Sequence, residues 1–339
     1  MPRIKESSMF KKYNSIENSY RTEFLDRILG HNFWNLSYAI QEKVHGSNLS
    51  FYSVDGQNFN AAKRTEGLKD DERFYNHQSI LEKHIDKFRA IYESICQEVE
   101  HVEQVSIYGE VIGGSYPHKE VKRNHEALKV QKGIFYSPNN EFYAFDIQIN
   151  RELYLDVEYI NGLFEKYELL YARTLFRGSL NECLKYPNMF GTTIPQLLGL
   201  PEIEPNYCEG VIIKPLKTCY FNNGTRVILK NKNEKWTENS KHIKTIKKEA
   251  PLSEKVTEFQ AIIGTYATEN RLNNVLSKMS EVTIKDFGKI IGSFNRDIIE
   301  DFAKDYNAQF MLLEKKEQKL VTKSIGYISS SMIKNYFKQ

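Results

Sequence analysis

At 339 residues, 40% hydrophobic and 27% charged, the chain is long enough for one large domain plus a smaller one, each with a real core. A formal charge of +3 excludes a polycation, so any nucleic-acid site must come from how the charges are arranged. No apolar run reaches the length of a membrane span, Met1 to Ser8 lacks the apolar core of a signal peptide, and Cys96, Cys183, Cys208 and Cys219 form no CxxC pair. A soluble, reduced, intracellular protein without a membrane partner is expected, with monomer as the default state.

With 21 Tyr and 20 Phe, the composition favours strands. Trp34, Leu36, Tyr38 and Ile40 alternate until the pattern breaks at Gln41-Glu42-Lys43-Val44-His45-Gly46. Lys63-Arg64-Thr65 is a cationic pair just after a strand. Apolar residues at spacings of three and four predict a helix over Gln78 to Val99 and another over Val157 to Tyr167. Val105 to Val111 reads as a strand ending at Gly113-Gly114, with Glu110 near its end. Val130 to Tyr136, the turn Ser137 to Asn140, and Phe142 to Ile149 read as a hairpin. Glu209 to Ile213 and Arg226 to Leu229 are two more β-branched runs, separated by the turn Asn222-Asn223-Gly224.

After a basic stretch from Lys241 to Lys248, closed by Ala250-Pro251, the pattern turns helical. Ser253 can cap a helix whose face is Val256, Phe259, Ile263 and Tyr266. Thr283 to Asp286 resembles a capping box, and Ile325 to Phe337 reads as a last helix. The expected class is α+β: a mixed, antiparallel-sheet domain over 1–248 and a small all-helical domain over 249–339.

The chemistry centres on Lys43. A lysine that attacks phosphorus needs a free lone pair, so its pKa has to fall, through nearby cations, a metal or loss of water. Placed where a strand ends and a glycine turn begins, the amine would sit at the floor of a pocket whose backbone amides can approach a phosphate or a base. A solvated lysine is the default for so short a pattern. The order of the downstream motifs changes that reading: Lys63-Arg64, then Tyr108-Gly109-Glu110, then Phe142 to Asp146, then Glu209 to Lys214, then Val227 to Lys232. Lys230 and Lys232 share a strand face, where two ammonium groups repel unless an anion such as a triphosphate lies between them.

This ordered set resembles the covalent nucleotidyltransferase superfamily, and more closely the bacteriophage-type RNA ligase 2 family, which also takes in the kinetoplastid RNA-editing ligases. The resemblance runs from Met9-Phe-Lys-Lys-Tyr13 to Asp301 and includes Ala62 to Thr65, Phe145-Asp146-Ile147, Asn270 to Asn274 and Lys285 to Lys289. It implies an adenylyltransferase domain in which Lys43 forms a lysyl-AMP adduct. By the same resemblance, the backbone around Glu42 and Val44 and the ring of Phe145 hold adenine, Arg64 and Glu110 meet the ribose and α-phosphate, and Lys230 and Lys232 take the phosphates. Glu209 handles a divalent metal or the nucleotide sugar, and Asn48 bridges nucleotide and RNA ends. Arg271 and Asp297 match positions used in the later steps on RNA, to which His45, Lys63 and Lys214 are added.

Blander readings stand beside these. Phe145 also reads as a core ring, Asp146 as a turn cap, and His45 as a packed, hydrogen-bonded residue. Lys214 is either a site residue or a solvated one, and Arg271 could tie its helix to the catalytic domain through a carboxylate. The activity implied is that of an ATP-dependent RNA ligase joining a 3′-hydroxyl to a 5′-phosphate at nicks in duplex RNA, through lysyl-AMP and AppRNA. ATP and Mg2+ (with Mn2+ as substitute) are the expected cofactors, the metal arriving with the nucleotide phosphates because no cage of ligands is visible in the spacing. The rivals are a DNA ligase or a capping guanylyltransferase, whose usual β-barrel tail the helical pattern here does not match, and an inactive RNA-binding scaffold.

Overall fold

The computed structural model describes residues 10–69, 72–233, 253–277, 279 and 282–337. Its strands are β1 (Glu17–Asn18), β2 (Ser37–Lys43), β3 (Ser47–Ser53), β4 (Asn60–Lys63), β5 (Val105–Gly113), β6 (Asn140–Ile149), β7 (Leu153–Tyr154), β8 (Thr174–Ser179), β9 (Gly210–Pro215) and β10 (Leu229–Lys232). They form two five-stranded sheets, ordered β1-β10-β9-β2-β8 and β4-β3-β5-β6-β7. Every pairing is antiparallel except that of β1 with β10. The chain crosses from the first sheet to the second in the turn between β2 and β3. Val44, His45 and Gly46 therefore lie in the seam between the sheets.

Helices α1 (Thr22–Gly30), α2 (His77–Glu98), α3 (Val157–Lys166), α4 (Leu180–Leu184) and α5 (Ile194–Leu197) cover these sheets. The two helices expected from periodicity are α2 and α3. Ile80, His84, Phe88, Ile91 and Ile95 form the buried stripe of α2, which packs on Phe51 and Phe142 of the second sheet. Phe24, Leu25 and Ile28 of α1 bury against Tyr38, Ile40 and Ile213 of the first. A third cluster, including Val44, Tyr136, Tyr143 and Ile194, fills the seam.

Several sequence expectations change. Trp34 and Leu36 precede β2, and Trp34 is exposed. Alternation breaks at Gln41, yet the strand continues to Lys43 because β2 is a central strand buried from Tyr38 to Glu42. Gln41 satisfies its burial by donating to the Ala172 carbonyl at 2.5 Å. The hairpin ending in β6 does not form. Residues 114–139 are instead an irregular excursion between β5 and β6, which pair directly. Gly113 and Gly114, with φ of +87° and +80°, turn the chain out, and a Cβ on Gly114 would collide with the Leu128 carbonyl. Glu110 lies inside β5, next to a register shift at Tyr108/Gly109. Of Arg226 to Leu229, only Leu229 joins the ladder. The turn at Asn222 to Gly224 is present, and Val227 instead bonds the Cys219 carbonyl at 3.0 Å.

The remaining helices are α6 (Glu254–Gly264), α7 (Glu269–Leu276), α8 (Phe287–Phe310), α9 (Lys315–Lys323) and α10 (Ile325–Tyr336). Ser253 caps α6, and the capping box from Thr283 to Asp286 opens a short 3-10 turn that runs into α8. Val256, Phe259, Ile263, Phe294 and Phe302 share a core of their own, with Tyr266 half-buried beyond the end of α6. These helices meet the sheets at the far end of β9 from Glu209: Lys334 donates to the Thr218 carbonyl at 2.5 Å, and Phe287 packs on Tyr220. The stretch from Lys241 to Lys248 and the boundary expected at 248/249 fall outside the described residues. Among those residues, no helix is long and apolar enough to cross a membrane.

Candidate active site

Lys43 is the last residue of β2, so its amine enters the seam where the ladder stops. Its Nζ donates to Glu209 Oε2 at 2.7 Å and to the Val44 carbonyl at 3.3 Å. The other Glu209 oxygen holds Lys232 Nζ at 3.1 Å, and His45 Nδ1 lies 3.7 Å from the same carboxylate. Glu110 Oε2 accepts the Gly46 amide at 2.7 Å. That approach needs a glycine, since a Cβ on Gly46 would lie 2.5 Å from the Val111 carbonyl.

The electrostatics differ from the sequence expectation. Burial pulls the Lys43 amine down, but the charges of Glu110 and Glu209 outweigh it and hold its pKa above the ordinary lysine value. Without nucleotide, the group is an ammonium in an ion pair. Burial alone would raise Glu209, yet His45, Lys43 and Lys232 bring it down to about 2. Glu110 is pushed up, foremost by burial and further by Glu209, against the pull of Lys43. Lys230 is pushed down by burial and by the neighbouring charges of Lys232, Lys43 and Arg64. Here the repulsion inferred from strand alternation is visible: a cationic wall stands with too little negative charge inside it.

Two cavities meet at Lys43. An inner one is lined largely by Val44, Tyr143, Phe145, Ile212 and Ile228. An outer cleft is lined by Lys63, Arg64, Lys230 and Lys232, with His45, Asn48, Glu110 and Glu209. Lys43, Glu110 and Phe145 line both. The structure thus gathers every sheet-borne residue singled out from the sequence, though not always in the expected attitude. Glu42 turns its carboxylate away from the cleft, accepting from Thr192 Oγ1 at 2.5 Å, Thr193 Oγ1 at 2.6 Å and the Thr193 amide at 2.9 Å. Lys63 is paired with Glu72 at 2.6 Å and Glu66 at 3.0 Å. Asn48 Nδ2 reaches the Gly109 carbonyl at 3.4 Å.

Lys214 is neither solvated nor placed to meet RNA. It is buried behind the inner cavity, donating to the Phe145 carbonyl at 2.9 Å with Asp146 at 3.5 Å, and burial lowers its pKa to about 8. Asp146 caps no turn. It takes Arg226 through both oxygens, at 2.6 and 3.0 Å, and the Tyr13 hydroxyl at 2.6 Å. Tyr13 in turn packs edge-on against Phe145 with ring centroids 5.1 Å apart. Sequence reasoning assigned no role to Tyr13, Arg226, Thr192 or Thr193. The one available signal was a charged Arg226 opening the apolar run Val227-Ile228-Leu229.

Arg271 ties α7 to α8, not to the sheets, through Asp297 Oδ2 at 2.5 Å and Asp301 Oδ2 at 2.8 Å. Neither Arg271 nor Asp297 lines the two cavities. Among the described residues, no group of three or more His, Cys, Asp or Glu side chains is placed to hold a metal. Glu110 and Glu209, which line the same cleft and both act on Lys43, are a two-carboxylate set that fits a divalent ion whose other ligands are phosphate oxygens and water.

Known proteins share both parts of the chain. Residues 36–232 match the RNA ligase family profile, and residues 233–331 match that of the T4 RNA ligase 2 C-terminal region. The mitochondrial RNA-editing ligase 2 of Trypanosoma brucei brucei is 25% identical over 388 aligned positions, covering 98% of this chain and 92% of that protein. RNA-editing ligase 1 of the same organism is 29% identical over 206 positions, 52% of this chain and 44% of that protein, so the match spans less than half of it. Among solved structures, a mutant Naegleria gruberi RNA ligase with ATP and Mn aligns with a TM-score of 0.44 at 13% identity, over 68% of this chain and 58% of that one.

Proposed function

The chain belongs to the RNA ligase family, and from that premise we propose that it is an ATP-dependent RNA ligase that seals a 3′-hydroxyl to a 5′-phosphate through Lys43. The observation that carries the reading is the position of Lys43 between a largely apolar pocket that includes the Phe145 ring and a cleft walled by Arg64, Lys230 and Lys232. A base stacked on Phe145 and phosphates among the cations would bring the α-phosphorus to the amine.

The reaction takes three in-line displacements. Lys43 Nζ attacks the α-phosphorus of ATP, its N–P bond forms as the bond to pyrophosphate breaks, and the amine proton leaves to solvent. An RNA 5′-phosphate then attacks the adduct, forming AppRNA and freeing Lys43. A 3′-hydroxyl finally displaces AMP and the phosphodiester forms. Positioning and charge neutralisation dominate such steps. A divalent ion bound by Glu209, Glu110 and the phosphates would supply further positive charge at the leaving oxygens.

The ammonium must lose its proton before the first step. Glu110 and Glu209 are the obstacle, because their charges, with Glu209 at 2.7 Å, stabilise the ammonium form. Cations that engage Glu110 and Glu209 during nucleotide binding weaken that pairing, leave burial and Arg64 to act on the amine, and lower its pKa. Arg271 and Asp297 belong, on this reading, to a separate helical domain from about 249 onward that acts on RNA ends after AMP capture. The substrate is a break held in duplex RNA, gripped through its phosphates and A-form shape.

The test is a mass spectrum of the intact protein after incubation with ATP and Mg2+ or Mn2+, followed by nicked RNA and nicked DNA. Gain of one AMP at Lys43 and sealing of the RNA nick are expected. Label taken only from GTP would instead assign a capping guanylyltransferase, sealing of DNA alone a DNA ligase, and no adduct at all an inactive scaffold.

A further inference from the structure

We propose that the excursion between β5 and β6 is an RNA-backbone clamp, holding phosphates beyond the reacting ends through Lys119, Lys122, Arg123, Lys129 and Lys132. These five cations are all exposed, and only Glu120 and Glu126 oppose them within the excursion. Among the described residues none of the five enters an ion pair, whereas Lys83 of α2 and Arg177 of β8 are matched by Glu141 and Glu158. A surface that leaves neighbouring like charges unmatched carries a potential suited to a polyanion.

The placement is specific to the cleft. Gln131, between Lys129 and Lys132, donates to the Gly46 carbonyl at 3.2 Å in the nucleophile turn. Tyr136 OH accepts the His45 amide at 2.8 Å. On the other leg, Asn76 donates to the Glu126 carbonyl at 2.9 Å, two residues along the chain from Phe74, which lines the cleft. The excursion thus touches the turn after Lys43 directly and lies close to the cleft-lining Phe74 through Asn76.

It is also held in shape without being a hairpin. Asn140 bonds both the amide and the carbonyl of Leu128, at 2.9 and 2.7 Å. Asn124 bonds Asn139 at 2.9 Å, Val130 is buried in the main core, and its amide reaches the Gly113 carbonyl at 3.1 Å. Cations carried on a framework fixed in this way lose little backbone freedom on binding. None of the five lines the nucleotide cavities, so their work is separable from AMP capture.

The proposal rests on RNA being the substrate, and the experiment keeps the two apart. The variant Lys119→Gln, Lys122→Gln, Arg123→Gln, Lys129→Gln and Lys132→Gln is compared with wild type and with a charge-retaining set in which the lysines become Arg and Arg123 becomes Lys. Each is assayed for AMP capture from ATP and for binding a nicked RNA duplex across a salt series. The Gln set should capture AMP like wild type. It should bind the RNA tenfold or more weakly near physiological salt, with a log–log salt slope shallower by up to about four, and the charge-retaining set should restore both. Unchanged RNA affinity and slope in the Gln set overturn the clamp while leaving the ligase reading intact. So does a loss that the charge-retaining set fails to rescue, or a parallel loss of AMP capture. Failure of wild type to capture AMP or to bind RNA sinks both.

Discussion

The seam that holds Lys43 and the helical cluster around Arg271 use the same residue types under different conditions. Around Lys43, Glu209 is nearly buried and serves Lys43, Lys232 and His45 at once. Behind it Asp146, fully buried, serves Arg226, Lys214 and Tyr13. Arg271 also has two carboxylates, but Asp297 and Asp301 are 35% and 40% exposed. Water reaches the carboxylates of the second arrangement and screens it more than the first. Buried charge is therefore coupled, so that each group sets the protonation of its neighbours, while exposed charge is available to exchange partners when RNA arrives.

The sharpest way to break this contrast is Lys43→Ala. It should abolish the AMP adduct, lowering capture by about a thousandfold or more, while thermal unfolding stays near wild type. Arg226→Met tests coupling in the buried group. It leaves Asp146 with Lys214 and Tyr13 only, and should cost about 3–5 kcal/mol in denaturant unfolding. Smaller, and decisive for sign, is the pH response of Glu209. Its folded pKa of about 2 lies below the ordinary carboxylate value, so its stabilisation is complete above roughly pH 4.3 and lost as pH falls towards 2. Glu209→Gln should flatten acid unfolding in that window and, by removing the counter-ion of Lys43, move the pH profile of AMP capture towards acid. The smallest expected effect lies in the tail. Asp297→Asn should change stability by less than about 1 kcal/mol and leave AMP capture intact, while slowing the steps on RNA. A stability loss there as large as that of Arg226→Met would erase the distinction.

Legibility in the sequence divides along the same line. Helices α2 and α3 were legible because periodicity reports burial on one face. Lys43, Arg64, Glu110, Phe145, Glu209, Lys230 and Lys232 were legible as an ordered set, and all line the cleft or the inner cavity. The false hairpin at Val130 to Tyr136 arose because Val130, Ile134 and Tyr136 are buried as a strand would bury them, yet satisfy their backbone in irregular ways. The raised pKa of Lys43 was not legible because it depends on Glu110 and on Glu209, the latter 166 positions away and placed by pairing of β2 with β9. The partners of Asp146 were hidden for the same reason, since Tyr13 and Arg226 are 133 and 80 positions distant.

The pairing of β1 with β10 has a consequence for biosynthesis. Glu17 lies beside Leu229 and Asn18 beside Lys230, so β1 must wait for a strand translated long after it, nearly the last of the sheet-rich part, before the two can dock. Tyr13 waits likewise for Arg226. A nascent chain halted before position 226 would carry Lys43 but lack the strand bearing Lys230 and Lys232 that walls the cleft. Competence to take up ATP should therefore emerge late on the ribosome, in one step, and not grow gradually with chain length.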